Sequence, residues 1–279
     1  MPEGPEIRLA ADQLRRVLAG HATSTVRFAA DKFPQLQRMG RALSGRTITH
    51  VEPRGKAMLT HFEGGLTIYS HNQLYGEWAV YRGAAPPTHL QTRLAIRTPT
   101  HSAILYSASE IEVLKTDAVA QHPYIARLGL ELLDPRVTHK QVLEQVEATR
   151  FARRNLAGLL LDQGFLAGIG NYLRSDILFV AKLHPQARPL DLTASQRQAL
   201  AQAALEVTRQ SYRLRGVTNN PGRARQLKAA GWTYARYRHW VFERTGEACH
   251  VCGGAIKRID CGGRGLFLCE HCQPKSRPD

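Results

Sequence analysis

The sequence is poor in acidic residues, in aromatics, in cysteine and in long apolar runs. Only 23 Asp and Glu stand against 38 Lys and Arg, a formal net charge of +15, and the sequence pI is near 10.1. An excess of that size speeds encounters with polyanions and points to nucleic acid, although a basic surface also serves solubility. With 7% aromatic and 43% apolar residues, the composition is that of an ordinary globular chain. No stretch approaches the roughly 20 uninterrupted apolar residues of a membrane span, so no membrane partner is expected. The start of the chain has no basic leader followed by an apolar run and a small-residue cleavage site, so a cytoplasmic location is expected. Five cysteines are present. Four of them form two pairs near the C-terminus, which in a reducing compartment favours a metal over disulfides. The 279 residues suffice for two domains, each with its own core.

Along the chain, Ile7, Leu9, Ala10, Ala11, Leu14, Val17 and Leu18 recur at helical spacing after Pro5, and Gly20 is a natural stop. From about Thr23 to Tyr106 the pattern changes to short β-prone runs such as AMLTHF, GLTIYSHN, GEWAVYR and HSAILYS. Six to eight such strands read as a sandwich or barrel. Asp134 and Pro135 mark a boundary, beyond which the chain turns helical. Thr138 precedes Gln141 at capping-box spacing, and the runs from Asn155 to Leu183 and from Thr193 to Leu214 are helical by length and period. Residues 216–238 combine Asn, Pro and Gly with Arg and Lys, which reads as a solvated loop, or as a mobile basic segment near a polyanion.

The strongest motif is CHVCGGAIKRIDCGGRGLFLCEHC. Cys249 and Cys252 form one C-x2-C, Cys269 and Cys272 another, with sixteen residues between them, the spacing of a four-cysteine zinc ribbon. A closed four-cysteine site has no open position, so one structural zinc is expected. Between the pairs, Arg264 falls at a hairpin tip among glycines, where it either reaches a phosphate or is merely an exposed turn residue. In FLAGIGNYLR, Gly168 and Gly170 interrupt a helical run before Asn171, leaving a helix N-terminus suited to phosphate, or a plain helical corner. Lys56, behind Gly55 at a strand start, could bind phosphate, polarise a leaving group or lie on the sheet surface. At the N-terminus, Pro5 and Glu6 suit a helix start. That leaves Pro2 and Glu3 unexplained.

Taken together, MPEGPEI, RGKAML, YSHNQLYG, LLLDQGFLAGIGNYLRSDIL and the ribbon with GGRGLF resemble the bacterial formamidopyrimidine-DNA glycosylase and endonuclease VIII family, across nearly the whole chain and in the family's order. The resemblance implies a multidomain α and β fold: an N-terminal β-sandwich with a flanking helix (residues 1–124), a linker (125–134), a helical helix-two-turn-helix domain (135–238) and a zinc-ribbon finger (239–279). It implies base-excision repair by a bifunctional glycosylase and AP lyase, with double-stranded DNA carrying oxidised bases or abasic sites bound between the domains. A monomeric protein of the bacterial cytoplasm, associated with the nucleoid through DNA, is expected.

The resemblance also gives roles. Pro2, exposed by removal of Met1, is the nucleophile, and Glu3 is the acid/base beside it, with Glu6 in support. Lys56 contacts phosphate or assists departure of the base. Asn171 and Arg264 grip the backbone around the lesion, Arg264 as part of the catalytic set. Gln73, Leu74 and Tyr75 fill the gap left by the flipped nucleotide, with sandwich core as the lesser alternative for Leu74 and Tyr75. Gly4, where the purine-preferring branch has leucine, and the Gln73-Leu74-Tyr75 tripeptide favour oxidised pyrimidines. The basic 216–238 segment leaves an oxidised-purine glycosylase as the alternative. From another class, a non-catalytic zinc-containing DNA-binding protein would explain the charge and the ribbon, but neither Pro2 and Glu3 nor Lys56.

Overall fold

A computed structural model describes residues 2–275. Met1, whose removal the resemblance requires, and the last four residues of the expected finger lie outside the described residues. The chain packs as two compact units, one up to Arg127 and one from Leu128.

The first unit opens with helix α1 (Gly4–Leu18), which buries Ile7, Ala11, Leu14 and Leu18, the i, i+4, i+7 stripe of an amphipathic helix. Strand β1 (Thr25–Phe28) and the short helix α2 (Gln37–Leu43) follow. Next come β2 (Ile48–Arg54), β3 (Ala57–Phe62), β4 (Leu66–His71), β5 (Glu77–Arg82), β6 (Thr92–Arg97), β7 (His101–Tyr106) and β8 (Glu110–Lys115). They form two four-stranded sheets, ordered β2-β3-β4-β8 and β1-β6-β7-β5, with every neighbour antiparallel. Val51, Met58, Ile68 and Ile111 of one sheet share a core with Val26, Leu94, Ile96 and Leu105 of the other and with the apolar face of α1. This is the expected sandwich. Gly40 shows why α2 is hard to read from sequence: a Cβ there would stand 2.8 Å from the Val26 carbonyl oxygen, so the glycine permits close packing on β1 and does not break the helix. The short helix α3 (Pro123–Ala126) closes the unit.

In the second unit, β9 (Leu130–Glu131) lies in the stretch expected as linker and pairs in parallel with β10 (Leu166–Ala167). Helix α4 (His139–Glu147) carries the Thr138/Gln141 capping box that the sequence indicates. The helix start after Gly168 and Gly170 is where the sequence indicates it, since α6 spans Asn171–Val180, but the run before it is a correction: α5 (Leu156–Leu159) ends after one turn. The intervening turns are held by Gln163, whose side-chain amide donates to the Leu161 and Ile169 carbonyls and accepts from the Gly168 N–H, each at 3.0 Å. Helix α7 (Ala194–Arg213) follows. Residues 216–238 are not a solvated loop. They fold as α8 (Pro221–Ala229) and α9 (Tyr234–Tyr237), closed at the neck where the Thr218 and Asn219 N–H groups donate to the Arg238 carbonyl at 2.8 and 3.0 Å. The loop reading failed because buried Thr218 and Asn219 supply the backbone with partners that composition does not reveal. Antiparallel β11 (Lys257–Asp260) and β12 (Gly265–Leu268) form the terminal hairpin. Among the described residues, no helix is long and apolar enough to cross a membrane.

Candidate active site and zinc centre

Glu3 occupies the N-cap of α1 and is 2% exposed. Its carbonyl accepts the first helical hydrogen bond from the Ile7 N–H at 3.0 Å, and its own N–H donates to Glu6 Oε2 at 3.0 Å. Glu6 thus fixes the backbone of Glu3 and, through it, the direction in which Pro2 leaves the helix. The positive end of α1 favours a carboxylate at this position. Pro2 is half-buried just ahead of it. Helix α1 is fastened to β2, where Arg15 Nε donates to the Val51 carbonyl at 3.0 Å.

Lys56 lies in the tight turn between β2 and β3, not within a strand, and is buried. The hydroxyl of Tyr124, on α3, accepts its backbone N–H at 2.9 Å. The same ring stacks edge-on against His71 at 5.2 Å between centroids. Burial lowers the pKa of His71; the Lys56 and Arg127 charges lower it further, while Glu110 opposes them. His71, Gln73, Glu110, Tyr124 and Arg127 line a common cavity of about 380 Å³. The sequence reading missed His71 and Arg127. His71 has no signal beyond its place in YSHNQLYG, and Arg127 stands alone among helix-end residues.

The connection from β4 to β5 carries the chain from one sheet to the other. Asn72 closes it from inside: its side-chain N–H donates to the Gly76 carbonyl at 3.0 Å, and its carbonyl accepts the Gly76 N–H at 2.8 Å. A Cβ on Gly76 would lie 2.4 Å from the Asn72 carbonyl oxygen, so only glycine fits. At the tip, Leu74 is 55% and Tyr75 81% exposed, which removes the sandwich-core alternative for both.

In the second unit, Asn171 begins α6, and its side-chain N–H donates to the Gly265 carbonyl at 2.9 Å. Arg174, fully buried, donates to Asn171 Oδ1 at 2.7 Å, to the Gly265 carbonyl at 3.3 Å and to the Ala157 carbonyl at 3.1 Å. The helix start and the hairpin are therefore locked together next to Arg264, which is exposed in the turn between β11 and β12. No local pattern marks Arg174, because a buried arginine looks like any surface one until its acceptors are placed. Asp176, on the same helix, is fully buried and accepts from the Trp240, Val241 and Phe242 N–H groups at 3.2, 3.0 and 3.3 Å. Burial raises its pKa, but hydrogen bonds and the charge of His239, with help from Thr218 and Val241, outweigh that and hold the carboxyl below its ordinary range.

The four sulfurs of Cys249, Cys252, Cys269 and Cys272 lie within 4.8 Å of one another, with 3.4 Å between Cys252 and Cys269 and 3.9 Å between Cys249 and Cys272. Tetrahedral thiolates around zinc stand about 3.8 Å apart, given Zn–S bonds near 2.3 Å. Burial pushes the Cys269 and Cys272 thiols up, so four thiolates this close need a cation among them. Zinc fits this all-sulfur set, and the site holds one structural zinc. Buried Gln273, unread in the sequence, ties the second knuckle down by accepting the Cys269 N–H at 3.1 Å and donating to the Leu183 carbonyl at 2.9 Å.

A β-sandwich led by a Pro-Glu helix start with its glutamate buried, a helix-two-turn-helix and a four-cysteine ribbon define the class of the formamidopyrimidine-DNA glycosylases. Residues 1–107 match the N-terminal domain of formamidopyrimidine-DNA glycosylase, residues 128–220 its H2TH domain, and residues 246–275 the zinc finger found in FPG and IleRS. Similar solved structures include Lactococcus lactis Fpg with DNA containing N7-benzyl-Fapy-dG and the same protein with abasic-site DNA. Both have a TM-score of 0.81, at 23% and 22% identity, covering 98% of this chain and 100% of theirs. Among curated proteins, Endonuclease 8 of Klebsiella pneumoniae is 44% identical and that of Shigella flexneri 46%, each over 274 residues, 98% of this chain and 100% of the relative. The chain belongs to the formamidopyrimidine-DNA glycosylase and endonuclease VIII family, on its endonuclease VIII side, the bifunctional DNA glycosylases and AP lyases of base-excision repair.

Proposed function

We propose that this protein excises oxidised pyrimidines from double-stranded DNA and cleaves the strand at the resulting abasic site, with Pro2 as nucleophile. An α-amino group has a pKa near ~8, so an appreciable share is uncharged at physiological pH, unlike a lysine. The Pro2 nitrogen attacks C1′, the glycosidic bond breaks and the base leaves with a proton. Opening of the C1′–O4′ bond then gives an iminium. That cation acidifies the C2′ hydrogen; its loss breaks the C3′–O3′ bond, and a second elimination breaks C5′–O5′. Glu3 exchanges the protons of ring opening and elimination, and Glu6 supports it through the Glu3 backbone. Lys56 serves the phosphate or the departing base. Asn171 and Arg264 hold the DNA backbone, and Arg264 also belongs to the catalytic set. Arg127, beside His71 and Gln73 around one cavity, extends the cationic surface of the first unit. Gln73, Leu74 and Tyr75 enter the duplex in place of the flipped nucleotide.

The observation that carries this reading is the exposure of Leu74 and Tyr75 at a braced tip. Large apolar side chains held in water by a fixed turn suit an apolar partner such as a base stack. The protein acts as a monomer in the bacterial cytoplasm, at the nucleoid. Borohydride trapping tests the reading, on duplexes carrying thymine glycol, dihydrouracil, 8-oxoguanine or an abasic site. Covalent capture on oxidised pyrimidines, abolished by an extra residue ahead of Pro2, is the expected result. Capture mainly on 8-oxoguanine would assign the protein to oxidised purines, and no capture on any duplex would leave only a DNA-binding role.

A further inference from the structure

The tip between β4 and β5 is held in a conformation its own sequence does not favour. Gln73 has φ 55°, a left-handed backbone that a non-glycine residue keeps only when its surroundings impose it. Two contacts do so. The Gln73 N–H donates to His71 Nδ1 at 3.1 Å, and its side-chain Nε2 donates to Glu110 Oε2 at 2.8 Å. Glu110 is itself anchored, because its other oxygen accepts the hydroxyl of fully buried Tyr69 at 3.3 Å. A path of hydrogen bonds thus runs from the sandwich core, through an edge strand, to the first residue of the tip.

We propose that Glu110 is a positioning residue for insertion into DNA: its bond to Gln73 presets the turn before DNA arrives, so that Leu74 and Tyr75 lead into the duplex and Gln73 follows them on release. This rests on the reading of residues 73–75 as an insertion tip. Glu110 stands where Lys56 and Arg127 make the surroundings cationic. A carboxylate there opposes phosphate and so does nothing for general DNA affinity. Its contribution is the shape of the tip, and the two effects have opposite signs.

The test uses the full-length protein with Glu110→Ala, Glu110→Gln, Gln73→Ala, Leu74→Ala and the Glu110→Ala/Gln73→Ala double variant. Stopped-flow fluorescence of 2-aminopurine beside a dihydrouracil reads insertion, anisotropy reads affinity for undamaged duplex, and thermal melting reads folding. Glu110→Ala is expected to slow insertion about tenfold, the scale of one lost hydrogen bond to a charged group, while undamaged duplex binds equally well or more tightly. Glu110→Gln, which keeps an acceptor oxygen, is expected to retain most of the rate. In the Gln73→Ala background, Glu110→Ala should add nothing, since the two act as one unit. Insertion at the normal rate in Glu110→Ala, or an undiminished loss in the double variant, would overturn the proposal. If Leu74→Ala slows insertion and Glu110→Ala does not, only the role of Glu110 fails. If Leu74→Ala inserts normally, the insertion-tip reading itself fails.

Discussion

His71 is a base kept uncharged by its surroundings. Burial lowers its pKa below the ordinary 6.5, and Lys56 and Arg127 add to that against the opposing Glu110. The neutral ring leaves Nδ1 free to accept the Gln73 N–H, so protonation removes that acceptor and adds a cation beside two others. The loosened chain binds the proton more readily than the native one. The stabilisation is therefore complete above pH 6.5 and is lost as pH falls below it toward the native value. Insertion into a damaged duplex and the melting temperature should decline together in that window, and His71→Asn, which offers an oxygen near Nδ1, should flatten both; equal slopes in the two proteins would show that His71 is not the group responsible. Gly76 makes a second prediction at this scale. A Cβ would meet the Asn72 carbonyl oxygen at 2.4 Å and its Cα at 2.6 Å, backbone atoms that move only if the turn opens. Gly76→Ala should cost about 1–3 kcal/mol, typical of overpacking, measurable by denaturant titration, and should slow excision without altering binding to undamaged DNA.

Among the elements, the start of α6 and the β11–β12 hairpin act as one device through Arg174. Removing that guanidinium strips partners from Asn171 Oδ1 and the Ala157 carbonyl and leaves the Gly265 carbonyl to Asn171 alone, and each buried group left unsatisfied costs about 1–3 kcal/mol. Arg174→Met should therefore destabilise the second unit by several kcal/mol and weaken DNA binding, and a lysine should not restore it, because one ammonium cannot reproduce the fork. The ribbon depends on its metal in the same way. Cys249→Ser should lower zinc content and duplex affinity together, since ligand binding there is folding energy; full zinc occupancy by elemental analysis with unchanged affinity would contradict it. Elements that local pattern governs were legible in the sequence: α1, most strands, the capped helix α4 and the cysteine spacing. Elements decided by distant partners were not. Strand β8 shows only a short alternation, Glu110-Ile111-Glu112-Val113, that becomes a strand through its pairing with β4. The neck of residues 216–238 is set by a carbonyl about twenty positions away in sequence. The candidate site divides likewise: Pro2, Glu3, Lys56 and the tip were found through motif, whereas Arg174, His71 and Glu110 act through three-dimensional neighbours that no local spacing announces.

For the molecule as a whole, the +15 formal charge and the apolar tip separate two kinds of contribution to DNA recognition. Contacts between cations and phosphates release counterions, so they strengthen any duplex and weaken as salt rises. Contacts between apolar side chains and bases do not release ions. Arg264 is exposed at the hairpin tip, and in the proposed role its guanidinium would meet a phosphate by charge. Leu74 has no charge to lose. Across about 50 to 200 mM salt, the logarithm of affinity should fall linearly with the logarithm of salt for the native protein, and Arg264→Ala should make that line shallower by about one unit of slope. Leu74→Ala should lower affinity for lesion-containing duplex while leaving the slope unchanged, and should leave affinity for undamaged duplex intact. Titrations of the three proteins on matched damaged and undamaged duplexes check both statements. If Arg264→Ala keeps the native slope, the arginine does not contact phosphate. If Leu74→Ala loses affinity equally on both duplexes, the tip contributes to general adhesion and not to opening the lesion site.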